Sequence, residues 1–187
     1  MIGWSLPKTI NVGGKEYEIE TDYRDILSIL SHLQNRDDSE AERIYIALVL
    51  FYTDFGMIPK THYREASERM MSFIACGMKN DVKPMPKLID WEQDAPLIVA
   101  DINKVAGREV RELPYLHWWT FMAYFNGIGE GQLSTVVGIR HKRAKGKALS
   151  EWEREYYRDH REAVDFQYRQ TAEEAAEFAR LEEMLGI

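Results

Sequence analysis

The sequence predicts a mainly α-helical domain with a small N-terminal β-hairpin and an acidic helical C-terminal extension. Three observations carry that expectation. Apolar residues recur at spacings of three and four along most of the chain. One Gly-Gly pair separates two short stretches of alternating apolar and polar residues. Beyond Ala148 the composition turns acidic and its apolar residues become too sparse for an independent core. The expected division is a helical domain over 1–140, with the hairpin at about 9–20, a basic linker over 141–149 and an extension over 150–187.

In the hairpin, Ile10 and Val12 alternate with polar residues, as do Tyr17 and Ile19, and Gly13-Gly14 supplies the positive φ angles of a primed turn. Two strands alone are marginal in water, so they must rest on helices. Asp22 is the expected N-cap of a helix reaching about Leu33, with Tyr23, Ile26, Leu30 and Leu33 in one stripe. The polar cluster from Asn35 to Ser39 is read as a loop. A second helix is expected to run to Phe55 with Gly56 as its cap, on the stripe Ile44, Leu48, Phe51 and Phe55 widened by Ala47, Val49 and Leu50. That pattern reads as a core helix. A third, opened by Thr61 and Arg64-Glu65 after the break at Pro59, should end at Gly77 with Tyr63, Ala66, Met70, Phe73 and Ile74 inside.

After a Pro-containing loop from Lys79 to Lys87, Pro96 belongs in a first helical turn, so the next helix should start near Asp94 and end at Gly107. Ile98, Ile102 and Val105 are its expected inner residues. Pro114 to Gly127 then reads as an aromatic helix whose apolar arc is nearly closed, broken only by His117, Thr120 and Tyr124. Such a helix is either the middle of a core or a face awaiting a partner. A short helix over Leu133 to about His141 follows, and 140–147 carries five Lys or Arg, read as solvated. Ser150 with Glu153 and Thr171 with Glu174 match the capping-box pattern, placing helix between Glu151 and Leu185.

Candidate chemistry is sparse. The balance of 24 basic against 31 acidic residues, net −7, does not favour nucleic acid as the main partner. The basic run 140–147 lacks interleaved aromatics. The longest apolar run, Ile44 to Tyr52, is far short of the roughly 20 residues of a membrane span. No secretory signal opens the chain, so the protein is expected to stay where it is made. Five histidines fall in separate segments without paired ligand spacing, and no metal or cofactor is expected. Asp90 and Asp94 read as helix-start residues, with Glu92 compensating the dipole. Cys76, the only cysteine, reads as a buried thiol. Gly127 to Gly131 spells G-x-G-x-G without a preceding strand and is read as a helix break. No catalytic residue emerges. Candidate contact residues, for a partner or a second copy, are Leu116, His117, Trp118, Trp119, Phe121, Met122 and Phe125, because Trp and other aromatics concentrate at interfaces.

Four stretches together resemble a known family: P-x-x-I-x-V-G-G-K-x-Y-x-I-x-T-D-Y-R from Pro7, D-W-E-Q-D-A-x-L-I-x-A-D-I from Asp90, L-H-W-W-x-F-M-A-Y-F-N-G from Leu116, and V-V-G-I-R ending at Arg140. They are similar to the tail assembly chaperones of long-tailed bacteriophages and prophages of Gram-positive bacteria. The resemblance spans about Pro7 to Trp152. It departs at Pro96 and at Asp101-Ile102, where an aromatic is common. It implies a helical, non-enzymatic, self-associating protein of the host cytoplasm that binds the long apolar tape-measure protein, keeps it soluble while the tail tube assembles, and is absent from the mature virion. The competing readings are a structural adaptor such as a connector or minor tail protein, and a small DNA-associated regulator using 140–147.

Overall fold

The computed structural model describes residues 5–34, 38–78 and 86–167. The Thr171-Glu174 capping pattern and the rest of 168–187 lie outside the described residues. As expected, the protein is mainly α with one antiparallel hairpin. Strands β1 (Thr9–Val12) and β2 (Lys15–Glu18) pair with Ile10 opposite Tyr17. Gly13 is needed twice over: its φ is +58°, and a Cβ there would stand 2.8 Å from the His62 ring. The hairpin tip is tied down where the Gly13 N–H donates to Glu65 Oε2 at 3.0 Å.

Helix α1 (Tyr23–Gln34) begins where Asp22 Oδ1 accepts the Arg24 N–H at 3.0 Å. Helix α2 (Glu40–Phe51) opens on a capping box formed by Ser39 and Glu42. It stops one turn short of the expected Phe55, because Tyr52 is drawn into extended backbone beside Ile19. Glu20 N–H donates to Phe51 O at 2.8 Å and Thr53 N–H to Glu18 O at 3.2 Å, so hydrogen bonds to the hairpin replace those of another helical turn. Phe55 falls instead in a short 3₁₀ turn, Phe55–Met57. A second such turn, Lys60–His62, leads into α3 (Tyr63–Ile74), which buries Ala66, Met70 and Phe73.

Helix α4 (Ala95–Ala106) carries Pro96 in its first turn, as expected, and ends at Gly107 with φ +68°. Ile98 and Ile102 are buried, but Val105 is exposed; the third inward residue is Asp101. Its carboxylate accepts the Leu133 N–H at 3.3 Å and Lys104 Nζ at 2.7 Å, capping the start of the helix that lies across α4. The aromatic helix α5 is shorter than expected, Trp118–Asn126, for reasons given below. Helix α6 (Gln132–Ala144) continues past His141. Helix α7 (Glu151–Asp159) starts on the expected Ser150–Glu153 capping box, and α8 (Arg161–Val164) is one turn.

The main core lies between the hairpin and α1 to α5. A satellite forms where Val136, Ile139 and Val164 pack with Leu97, Leu149, Tyr156 and Tyr157. Between the two stands a buried ion pair. Arg140 donates to both Asp94 oxygens, at 2.6 and 2.9 Å, and its remaining N–H groups reach Leu88 O, Ala163 O and Val164 O at 2.7–2.9 Å. Its guanidinium stacks 4.1 Å from the Phe166 ring. Asp94 thus sits where an N-cap would, but its side chain does not cap; it neutralises Arg140. Nor is the basic run simply solvated. Lys142 pairs with Glu153 at 2.6 Å and Arg143 pairs with Asp165, so two cations of α6 hold the acidic segment that follows.

Removing one member of a buried pair leaves the other charge unmatched. Arg140→Met or Asp94→Ala is expected to cost about 3–5 kcal/mol, whereas Arg140→Met combined with Asp94→Leu should recover much of that loss; urea denaturation of the three proteins measures both.

Candidate interaction surface

The seven aromatic-segment residues sit mostly inside. Residues Pro114–His117 are not helical, because Asp22 and His117 form an antiparallel bridge. Tyr23 N–H donates to Leu116 O at 3.0 Å, Trp118 N–H to Thr21 O at 2.7 Å, and Leu116 N–H to Asp22 Oδ2 at 2.9 Å. His117 is the N-cap of α5: its Nδ1 accepts the Trp119 N–H at 3.0 Å, while Nε2 lies 3.0 Å from Pro7 O. A carbonyl can only accept, so Nε2 carries the proton and the ring is the neutral Nε2–H tautomer. Burial, the largest influence, lowers the pKa of His117, in keeping with that state.

The two indoles make parallel contacts. Trp118 Nε1–H donates to Ile74 O and Trp119 Nε1–H to Phe73 O, each at 2.9 Å, satisfying two carbonyls at the C-terminus of α3. Trp118 is 1% exposed, and its ring stacks with Phe121, which stacks in turn on Tyr23. Leu116, His117 and Phe121 are buried as well; Trp119, Met122 and Phe125 are half-buried and packed on the core, Phe125 against Trp91. The segment therefore assembles the core from the Thr21–Arg24 side and the α3 side at once. Of those seven residues, Trp119, Met122 and Phe125 alone keep outer edges open to a partner.

The apolar surface lies elsewhere, on the helix that the sequence pattern assigned wholly to the core. Helix α2 is apolar all round from Ile44 to Phe51. Ala47, Leu48 and Phe51 are buried, and by the 3.6-residue repeat Tyr45, Ile46, Val49 and Leu50 face away from them. Tyr45 is 52% exposed, Val49 45% and Leu50 39%. Tyr45 lies edge-on to Phe55 at 5.5 Å and tilted toward Tyr63 at 6.5 Å, which joins the stripe to the 3₁₀ turn ending in exposed Met57. Such a face on a helix covered only on its other side is the candidate docking surface. The signal was present in the sequence as the unbroken apolar run from Ile44 to Tyr52, which no one-sided surface helix requires.

Other candidates stay structural. Among the described residues no group of three His, Cys, Asp or Glu side chains is placed to hold a metal ion, and no helix is long and apolar enough to cross a membrane. Burial pushes the half-buried Cys76 thiol up, away from the thiolate that a nucleophile needs. Asp90 does act as a helix-start residue, its Oδ1 accepting the Glu92 and Gln93 N–H groups.

In comparison with known families, residues 4–166 match the model of the Bacteriophage Gp15 protein family. The chain belongs to that family. No curated protein and no solved structure matches it.

Two expectations separate core from surface. Trp118→Ala should cost about 3–5 kcal/mol in chemical denaturation, while Val49→Asp, on the solvent side, should change stability by less than about 1 kcal/mol. His117 provides a pH signature. Its folded pKa lies below the ordinary value near 6.5, so the unfolded chain binds the proton more readily. The stabilisation is whole above about pH 6.5 and is lost as pH falls below it. The urea midpoint should drop between about pH 7.5 and about pH 5.5, by less in His117→Gln than in the native protein.

Proposed function

We propose that the chain is a phage tail assembly chaperone, a non-catalytic holdase that binds the tape-measure protein in the host cytoplasm and is left out of the finished virion. The observation that carries this reading is the uncovered apolar face of α2 on a chain of which 29% of the residues are charged. A holdase needs both: apolar surface for a helical client and enough charge to stay in solution with it.

The size of the face sets how it works. Covering the exposed parts of Tyr45, Ile46, Val49 and Leu50 is worth about 1 kcal/mol per side chain, since each is already partly covered. Lost translational and rotational freedom offsets most of that total. One face alone holds a helix weakly and releases it readily, which suits a factor that must leave when tube subunits arrive. Tight retention of a long client then requires several copies along it, so self-association of the chain belongs to the proposal.

Co-expression with the tape-measure gene of the same phage tests it. The native chain should bring the tape-measure protein into the soluble fraction and co-purify with it, and Val49→Asp with Leu50→Asp should abolish both while leaving circular dichroism unchanged. A tape-measure protein that stays insoluble with the native chain, or stoichiometric recovery of this chain from purified virions by mass spectrometry, would sink the reading.

A further inference from the structure

The last described residues lie one helix away from α2, and the segment that follows them suits its open face. Gln167 N–H donates to Gln93 Oε1 at 3.0 Å, and Gln93 Nε2 donates to Asp165 O at 2.8 Å. The adjacent Glu92 accepts the Ser31 hydroxyl near the end of α1. Two residues further along α1, Leu33 O accepts a guanidinium N–H of Arg43 at 3.1 Å, at the head of α2. One helix width, about 10 Å, therefore separates Gln167 from α2. Residues 168–170 span about 10 Å when extended, and a helix over 171–185 adds about 22 Å. The segment is long enough to reach the stripe and run along it.

Its sequence carries a matching pattern. Phe178, Leu181 and Leu185 recur at spacings of three and four, too few to bury one another, and Glu177 and Glu182 stand on either side of that row. The α2 stripe has a cation on each flank. Arg43, three residues before Ile46, borders it on the α1 side; Lys60 precedes Tyr63, whose ring is tilted toward Tyr45, on the α3 side. Neither cation has an ion-pair partner among the described residues, and Arg43 Nε, closed off from solvent, has no acceptor there. The stripe's own carboxylate, Glu42, is engaged by the Ser39 N–H. We infer that the segment 171–185 lays its Phe178, Leu181 and Leu185 row on the α2 face of the same chain, with Glu177 and Glu182 toward the Arg43 and Lys60 flanks. A short tether holds such a segment at an effective concentration of about 1 mM or more, so even a weak face stays covered until a client displaces it. In what it says of client access this rests on the holdase reading: the segment guards the face between clients.

Val49→Cys with Phe178→Cys in the full chain tests the contact: oxidation should form a bridge within one chain, told apart from bridges to Cys76 by mass spectrometry. Glu177→Lys with Glu182→Lys should lower its yield. A synthetic helical peptide with a leucine stripe, followed by fluorescence anisotropy, tests the competition. It should bind Phe178→Asp with Leu181→Asp about tenfold more tightly than the native chain, as when the open state rises from about a tenth to nearly all of the population. Val49→Asp with Leu50→Asp should bind it weakly whatever the segment carries. Bridges that form only between two chains assign the face to a second copy and overturn the inference. So does the absence of any bridge between the two positions, or a peptide affinity that the Phe178 and Leu181 changes leave unaltered. If no bridge forms while the native chain solubilises the tape-measure protein, the inference fails and the holdase reading stands. A bridge without solubilisation, by the native chain or by Phe178→Asp with Leu181→Asp, keeps the contact and ends the holdase reading.

Discussion

Backbone hydrogen bonding along Glu18 to Arg24 is the constraint on which the rest of the fold depends. This stretch leaves β2 and, before entering α1, bonds to two distant segments: Phe51–Thr53 through Glu18 and Glu20, and Leu116–Trp118 through Thr21, Asp22 and Tyr23. Each junction ends or delays a helix. Helix α2 gives up its last turn to pair Tyr52 with Ile19, and α5 starts only after His117 has paired with Asp22. Two strands cannot stand alone in water, and here the hairpin gains its support by extending into the ends of helices rather than by adding a third strand. Arg24 closes the arrangement, donating to Leu113 O at 2.6 Å and pairing with Asp22 at 3.1 Å.

From that junction, contacts pass to α3. The two adjacent tryptophans bond consecutive carbonyls, Phe73 O and Ile74 O, at the point where the chain turns through Cys76 with φ +56°. An apolar side chain could fill the same volume as the Trp118 indole but would leave Ile74 O with only the weak Cys76 Sγ–H donor at 3.9 Å, whereas Phe73 O also accepts the Cys76 N–H at 2.8 Å. The requirement for Trp118 is thus one of hydrogen bonding as much as of area. The Leu-His-Trp-Trp run is a structural joint: Leu116 and His117 face the hairpin side, and Trp118 and Trp119 face α3.

Much of this was legible in the residues, and the losses have physical causes. The hairpin and its turn, the Pro96 helix, the Ser150 box and the inner side of α3 follow from local rules that tertiary contacts left intact. The misread boundaries at Phe55 and at Pro114–His117 both fall where a backbone partner far along the chain competes with the helix for the same N–H and C=O groups, and no local pattern reports that competition. Asp94 and Arg140 show the same limit for charge. Each was read by its neighbours, one as a cap and one as part of a solvated run, whereas their burial is set by a contact 46 residues apart in sequence.

Helices α2 and α5 pose the sharper problem, because both are apolar on nearly every side and periodicity cannot say which one is fully enclosed. Enclosure is decided by how many elements can reach each helix. Helix α5 is bonded to the hairpin junction at its start and contributes two indoles to α3, and Trp91 closes over Phe121 and Phe125. Helix α2 is covered by α1 and α3 on one side, and its end is fixed to the hairpin by backbone bonds that leave the opposite side untouched. The same pairing that stops α2 at Phe51 therefore holds Tyr45, Ile46, Val49 and Leu50 outward on a helix that cannot roll to bury them. A face kept in water by the fold's own scaffold costs free energy in the isolated chain, and covering it returns that cost to whatever helix docks there.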